Sequence, residues 1–301
     1  MVPGHEIAGV VVAVGKNVTH LKVGDHAGVG CLVDSCRSCE NCKNGEENYC
    51  KTGMVGTYNS REKYPHCPGY DSETKTGAVT YGGYSQDIVV HKDYALSVPK
   101  TIPLEQAAPL LCAGITVYSP LKFYGIKAGQ KLAVAGLGGL GSMSVKFGVA
   151  MGCHVTVISR GTAKKEEAMV RLGAHDFLDS TNKEAWDASK ERFDQILDTI
   201  SADHDIKAYM SLLNVNGKLI LVGAPSKPIE LSAFDVIVRR KQFVGSLIGG
   251  IKETQEMLDF CAEKKVFCEV EVIKPEQINE AYDRAVAGDV KYRFSIDVSH
   301  M

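Results

Sequence analysis

The sequence predicts an α/β protein, a doubly wound parallel sheet set between two β-rich segments. Three observations carry this expectation. From about residue 104 to residue 264, apolar strand-like runs alternate with helical patterns. A glycine motif at 136–141 follows one of those strands and opens a helix. Strand character without helical periodicity dominates before residue 100 and returns after about residue 265.

Taken in order, residues 10–14 are a valine-rich run closed by Gly15 and predict the first strand. Val23-Gly24-Asp25 signals a turn into a strand at 27–30. Residues 53–83 are rich in Gly, Tyr, Thr and Ser and lack periodicity, so a long surface loop is expected. β-branched residues at 88–90, and a run at 95–98 stopped by Pro99, complete this part. Beyond residue 104, strands are expected at 131–135, 155–158, 195–198, 218–222 and 243–247. Helices are expected at 142–151 and 163–172, and near 205–213 and 234–240. The tail reads as strand 269–273, helix 275–287 and strand 293–298. A β-rich piece at each end of a central α/β unit predicts one domain inserted in another: residues 1–115 with 265–301, and residues 116–264.

Composition agrees with a two-domain globular chain. The 301 residues are 45% hydrophobic and 23% charged, and domains run to roughly 100–200 residues. The net charge is −2 with no basic stripe, so nucleic acid is not an expected partner. No apolar run reaches the ~18 residues of a membrane span. No secretory leader is expected either, because the start has no basic segment and His5 and Glu6 interrupt it. Of the ten cysteines, four cluster between 36 and 50, while Cys112, Cys153, Cys261 and Cys268 lie in apolar segments. That placement favours metal binding or reduced thiols over disulfides, and with it a cytoplasmic protein.

Cys36, Cys39, Cys42 and Cys50 form C-x2-C-x2-C-x7-C. Short spacings let one loop wrap a zinc ion with four thiolates, which leaves no open position; such a site is structural. Iron–sulfur clusters also take four cysteines, but with different usual spacings. Residues 136–141 read Gly-Leu-Gly-Gly-Leu-Gly. In G-x-G-x-x-G the first glycine allows the tight turn, the second admits a pyrophosphate, and the third lets helix and strand pack closely. The following helix turns its unsatisfied N–H groups toward the anion. An NAD site usually carries an acid at the end of the next strand. Here that strand ends Val157-Ile158-Ser159-Arg160, followed by Lys164 and Lys165. A hydroxyl and a guanidinium suit a 2′-phosphate, so NADP(H) is expected over NAD(H).

Several segments together resemble one family: PGHE at 3–6, GCLVDSCRSCENCKNGEENYC at 30–50, TYGGYSQ at 80–86, CAGITVYSPLKFYG at 112–125, GLGGLG at 136–141, VISR at 157–160, GSLIGG at 245–250, ETQEMLDFC at 253–261 and YRFSIDV at 292–298. The sequence is similar to the zinc-dependent medium-chain alcohol dehydrogenases, in the cinnamyl alcohol dehydrogenase branch. The resemblance implies a GroES-like catalytic domain around a Rossmann dinucleotide-binding domain. It implies an oxidoreductase that interconverts primary alcohols and aldehydes by hydride transfer with NADP(H). It implies a catalytic zinc held by His5 and Cys112, with Glu6 as neighbour or alternate ligand, and by a cysteine upstream of residue 1. On that reading the GroES-like part is N-terminally incomplete, and a second reading stays open: a non-catalytic protein that binds zinc and NADP(H).

The resemblance also places Thr116 near the nicotinamide, Leu137, Gly138, Gly139, Leu140 and Gly141 along the pyrophosphate, and Ser159, Arg160 and Lys164 at the 2′-phosphate. Thr199, Gly223, Ser246 and Ile248 match further cofactor contacts, and the segment 245–250 implies a homodimer. Residues 59–80 depart from the family by their length. They hold His66 and Cys67, a possible extra metal pair in what is expected to be an ordinary surface loop.

Overall fold

A computed structural model describes residues 1–67, 69–299 and 301. The chain forms two compact units, Met1–Ile115 with Ile248–Met301, and Thr116–Leu247.

In the first unit, β1 (Ile7–Val10) pairs antiparallel with β2 (His26–Val29). Strand β3 (Leu32–Asp34) leads to a short helix α1 (Glu40–Lys43), and β4 (Val55–Gly56) returns to pair with β3. Strand β5 (Leu96–Ser97) lies on the other side of β2. Helix α2 (Leu104–Ala107) follows, and α3 (Ala113–Phe123) begins in this unit and runs on into the second.

Three expectations change here. The first strand is Ile7–Val10, not 10–14: Val12 is 72% exposed, and Val11 bonds Gly24 and Asp25 through its backbone. β1 lies at the edge of its three-stranded sheet, and valine favours strands only where a neighbour packs against it. Residues 88–90 form no strand, and Val89 is wholly exposed. The segment 53–83 is more than a surface loop. Val55, Tyr64 and Cys67 are buried in a small core with Val33, Cys36 and Tyr70. Backbone bonds from Asn59 to Thr80 and from Gly77 to Glu62 fold its two arms together.

The second unit is a six-stranded sheet built of β6 (Lys131–Ala135), α4 (Gly139–Ala150), β7 (His154–Ser159), β8 (Asp176–Asp179), α5 (Lys183–Ala188), β9 (Phe193–Asp198), α6 (Ile206–Ser211), β10 (Leu213–Leu221), α7 (Ala233–Ile237) and β11 (Gln242–Gly245). The order β11-β10-β9-β6-β7-β8 is parallel throughout. It reverses between β6 and β9, the switch point at which such sheets bind dinucleotides beyond their carboxyl ends. Strands covered on both faces read as unbroken apolar runs. Leu132–Ala135 and Val155–Ile158 are accordingly buried. The expected helix at 163–172 contracts to a π-turn, Glu167–Arg171, ended by Gly173 at φ +79°.

The tail carries α8 (Ile251–Lys264), β12 (Glu271–Ile273), α9 (Ile278–Ala287) and β13 (Phe294–Ile296), with β12 and β13 parallel. Residues 248–264, expected with the nucleotide unit, make their contacts with the first compact unit. The Gln255 side chain bonds both backbone groups of Ser97, and Ile251 N donates to Glu47 at 3.0 Å. A Cβ at Gly250 would lie 1.7 Å from the Gly45 carbonyl oxygen, so only glycine fits that approach. Among the described residues no helix is long and apolar enough to cross a membrane.

Candidate metal and nucleotide sites

The loop after β3 brings Cys36, Cys39, Cys42 and Cys50 together, every sulfur within 4.8 Å of the others. Arg37 at φ +57° and Gly45 at φ +80° supply the sharp turns. The Sγ separations Cys36–Cys42 and Cys39–Cys42 are 3.9 and 3.5 Å. A zinc tetrathiolate with bonds near 2.3 Å has sulfur–sulfur edges of about 3.8 Å, so these residues fit zinc. Backbone N–H groups already point at two sulfurs: Cys39 N to Cys36 at 3.3 Å and Cys36 N to Cys50 at 3.5 Å. Hydrogen bonds from Ser38 lead in bringing the Cys36 thiol down to about 5, while burial pushes Cys42 up to about 12. All ten cysteines are free thiols.

A second cluster forms around the start of β1. Gly4 takes φ +102° against Tyr84 and turns His5 inward, where its ring stacks on Tyr58. His5 Nε2 lies 3.2 Å from Cys112 Sγ. Cys31 joins them, with the three ligand atoms within 4.8 Å. Gly30 explains why: a Cβ there would stand 2.8 Å from the Leu111 carbonyl oxygen, so only glycine lets the β2–β3 link approach this close to Cys112. Cys31 went unmarked in the sequence. Its only sign there is the preceding glycine, whose meaning depends on a partner eighty residues away.

Glu6 lies 3.4 Å from Arg293, yet its Oε1 is buried and accepts no hydrogen bond. Burial lifts this carboxyl to about 7 against the pull of Arg293. Cys112 falls to about 4, held as thiolate first by the hydrogen bond from Cys31 and then by His5. His5 rises, chiefly through its bond to Cys112, and Cys31 rises as the donor to that thiolate. A thiolate, an imidazole and a second sulfur therefore converge, which is a donor set for zinc. The cavity beside His5 and Glu6 measures about 1590 Å3. That exceeds the roughly 300–1,000 Å3 of a small-ligand pocket.

The nucleotide unit shows the geometry its motif asks for. Gly136 takes φ +87°, Gly138 caps α4, and the helix starts at Gly139 with free first-turn N–H groups. Leu137 is buried, while Gly138, Gly139 and Leu140 reach the surface. A Cβ on Gly141 would sit 2.2 Å from the Gly136 carbonyl oxygen. Gly141→Ala is therefore expected to cost about 1–3 kcal/mol of stability by overpacking. Calorimetry checks this, and an unchanged melting temperature would mean that the loop yields freely.

Ser159 ends β7, and Arg160 after it is exposed, with no hydrogen bond or ion pair among the described residues. Lys164 donates to the Leu137 carbonyl at 2.7 Å and so braces the glycine loop. Thr199 spends its hydroxyl on the Ala135 carbonyl, at 2.8 Å. Gly223 passes so close to Ile200 that a Cβ would meet its oxygen at 2.3 Å, and Ser246 N donates to Leu221 O. These residues gather at the carboxyl ends of the strands. Thr116 is buried within α3, and Ile248 belongs to the first unit.

Known proteins align with the whole of this arrangement. The zinc-binding dehydrogenase family pattern matches residues 139–263, and the alcohol dehydrogenase GroES-like domain pattern matches residues 1–100. NADP-dependent alcohol dehydrogenase C 1 of Mycolicibacterium smegmatis is 51% identical, covering 100% of this chain and 83% of its own. A cinnamyl alcohol dehydrogenase structure from Sorghum bicolor superposes with a TM-score of 0.91 at 46% identity, covering 99% of this chain and 82% of its own. The structure of CAD from Helicobacter pylori complexed with NADP(H) superposes at 0.87 and 44%, covering 100% and 82%.

Proposed function

The chain belongs to the zinc-binding alcohol dehydrogenase family, and from that premise we propose that it interconverts primary alcohols and aldehydes by hydride transfer with NADP(H). The observation that carries the reading is the convergence of His5, Cys31 and Cys112, with Glu6 next in the chain, in a chain that also holds a complete dinucleotide motif.

His5 Nε2 and Cys112 Sγ are the residues to hold the catalytic zinc, with Glu6 as alternate ligand. Zinc bound there acts as a Lewis acid on the substrate oxygen. The protein's own contribution is to hold the donors ready. The hydrogen bond from Cys31 keeps Cys112 a thiolate, and Tyr58 fixes the imidazole plane. Cys36, Cys39, Cys42 and Cys50 would hold the structural zinc. At the other site, the start of α4 offers N–H groups to the pyrophosphate, and Ser159 and Arg160 stand where a 2′-phosphate would lie. Lys164 sets the loop's height by gripping Leu137. Thr116, Thr199, Gly223, Ser246 and Ile248 are proposed as the remaining cofactor contacts.

The reading is tested by following NADPH absorbance with aliphatic, aromatic and cinnamyl-type aldehydes. Turnover that needs both aldehyde and bound zinc supports it; oxidation indifferent to the aldehyde sinks it. Arg160→Ala tests the cofactor. A charge-assisted hydrogen bond contributes about 1.5–3 kcal/mol, so NADPH should bind roughly 10–100-fold more weakly while NADH changes little. Equal weakening of both would remove Arg160 from the 2′-phosphate site.

We further propose a homodimer in the cytoplasm. β11 is an open sheet edge, continuous with the segment 245–250 that the family resemblance places at an interface. Ten free thiols suit a reducing compartment. Mass measured by light scattering settles the first point.

A further inference from the structure

We propose that Asp34, His66 and Cys67 form a third zinc site, separate from the two above. Their ligand atoms lie within 4.8 Å of one another. Asp34 Oδ2 is the hinge of the set, with His66 Nε2 at 3.0 Å and Cys67 Sγ at 2.9 Å. Edges between O, N and S ligands in a zinc tetrahedron run to about 3.3–3.6 Å, so a few tenths of an ångström of opening admits the ion.

The surroundings are built to present these atoms. Asp34 is almost wholly buried, and its other oxygen, Oδ1, is taken up by the Ser35 N–H at 2.8 Å and by Arg37 at 2.9 and 3.0 Å. That fixes the carboxylate, with His66 Nε2 3.1 Å from Oδ1 and 3.0 Å from Oδ2 and Cys67 Sγ on Oδ2. Such outer hydrogen bonds are what orient a ligating carboxylate. Arg37 also lies 3.7 Å from Asp93, so part of its charge is balanced away from the site. Tyr64 stacks on the His66 ring at 5.6 Å, and the Cys67 N–H closes a turn onto the Tyr64 carbonyl. The histidine is one-third exposed, which leaves a fourth position for water.

The mixed O, N and S set selects zinc over magnesium or calcium, which prefer oxygen alone. Without an ion, the Cys67 thiol donates to Asp34. On binding, the Cys67 proton passes to solvent and the sulfur coordinates as thiolate. The ion would pin the segment around 60–80 to β3, two residues ahead of Cys36. This explains how a long, polar segment holds a buried core of only three residues.

The test uses the full chain, freed of any purification tag, equilibrated with zinc and then dialysed. Zinc per chain is measured for the wild type and for His66→Ala and Cys67→Ser, with near-ultraviolet circular dichroism and NADPH binding as controls on folding. Each variant should hold one zinc fewer than the wild type, and His66→Cys should restore it. Wild-type zinc content in both variants overturns the site. A second measurement needs no variant: anomalous scattering at the zinc edge from wild-type crystals soaked in zinc. A peak about 2.0–2.3 Å from Asp34 Oδ2, His66 Nε2 and Cys67 Sγ supports the proposal; a featureless map there refutes it.

Discussion

Cys112→Ser should lower kcat/KM for aldehyde reduction by at least about 1,000-fold while NADPH binding stays within about threefold. The reasoning starts from charge. Polarisation of the substrate oxygen by a bound metal is worth several kcal/mol at the transition state, and each 1.36 kcal/mol is about tenfold in rate. Cys112 is the one thiolate of the cluster at neutral pH, held near 4 by Cys31 and His5. A serine hydroxyl ionises far above neutral pH, so the substitution removes the cluster's anionic ligand along with its softness toward zinc. The variant should lose one zinc per chain and keep its fold, because the site sits on segments braced by Gly30 against Leu111 and Gly4 against Tyr84. Zinc content, NADPH affinity and steady-state rate are read on the same preparation. Turnover within tenfold of wild type would remove Cys112 from the catalytic site.

What the sequence announces and what it conceals follow the range of the interactions. Residues 36–50 and 136–141 act through neighbours a few positions away, so their spacing alone points to zinc and to a dinucleotide. The central sheet was readable because strands buried on both faces are unbroken apolar runs. The exception is β8, whose Asp-Phe-Leu-Asp is short and flanked by acids. The first unit was harder. The valines at 10–14 carry strong strand propensity, but pairing ends at Val10, where the chain runs along a sheet edge. His66 and Cys67 stood out as a pair, but Asp34, thirty-two residues earlier, joins them only after β3 and the following segment fold together. Cys31 is the same case. Neither cluster has a spacing signature, because each is assembled by tertiary contact.

The four-cysteine loop supports the second large effect, on stability. Cys39→Ser is expected to lower the apparent melting temperature of the first unit by roughly 6–12 °C. The segment 35–53 has little else to fold around: α1 is four residues long, and only Cys42, Asn48, Cys50 and Ser35 are buried along it. In small zinc domains the metal contributes about 10–16 kcal/mol of apparent binding free energy, much of it folding free energy. A loop already packed on β3 and β4 should lose less, about 3 kcal/mol, and 1 kcal/mol moves the midpoint of a domain of this size by roughly 2–4 °C. Metal loss also leaves the Cys36 thiol, which hydrogen bonds from Ser38 hold low at about 5, without a cation beside it. Hydrogen exchange should therefore accelerate across residues 35–53 while β6, β7 and β9 keep their protection, because the parallel sheet packs its own apolar core. Unchanged exchange in the loop, together with an unchanged melting temperature, would mean that β3, β4 and the Tyr64 core hold this segment without the metal.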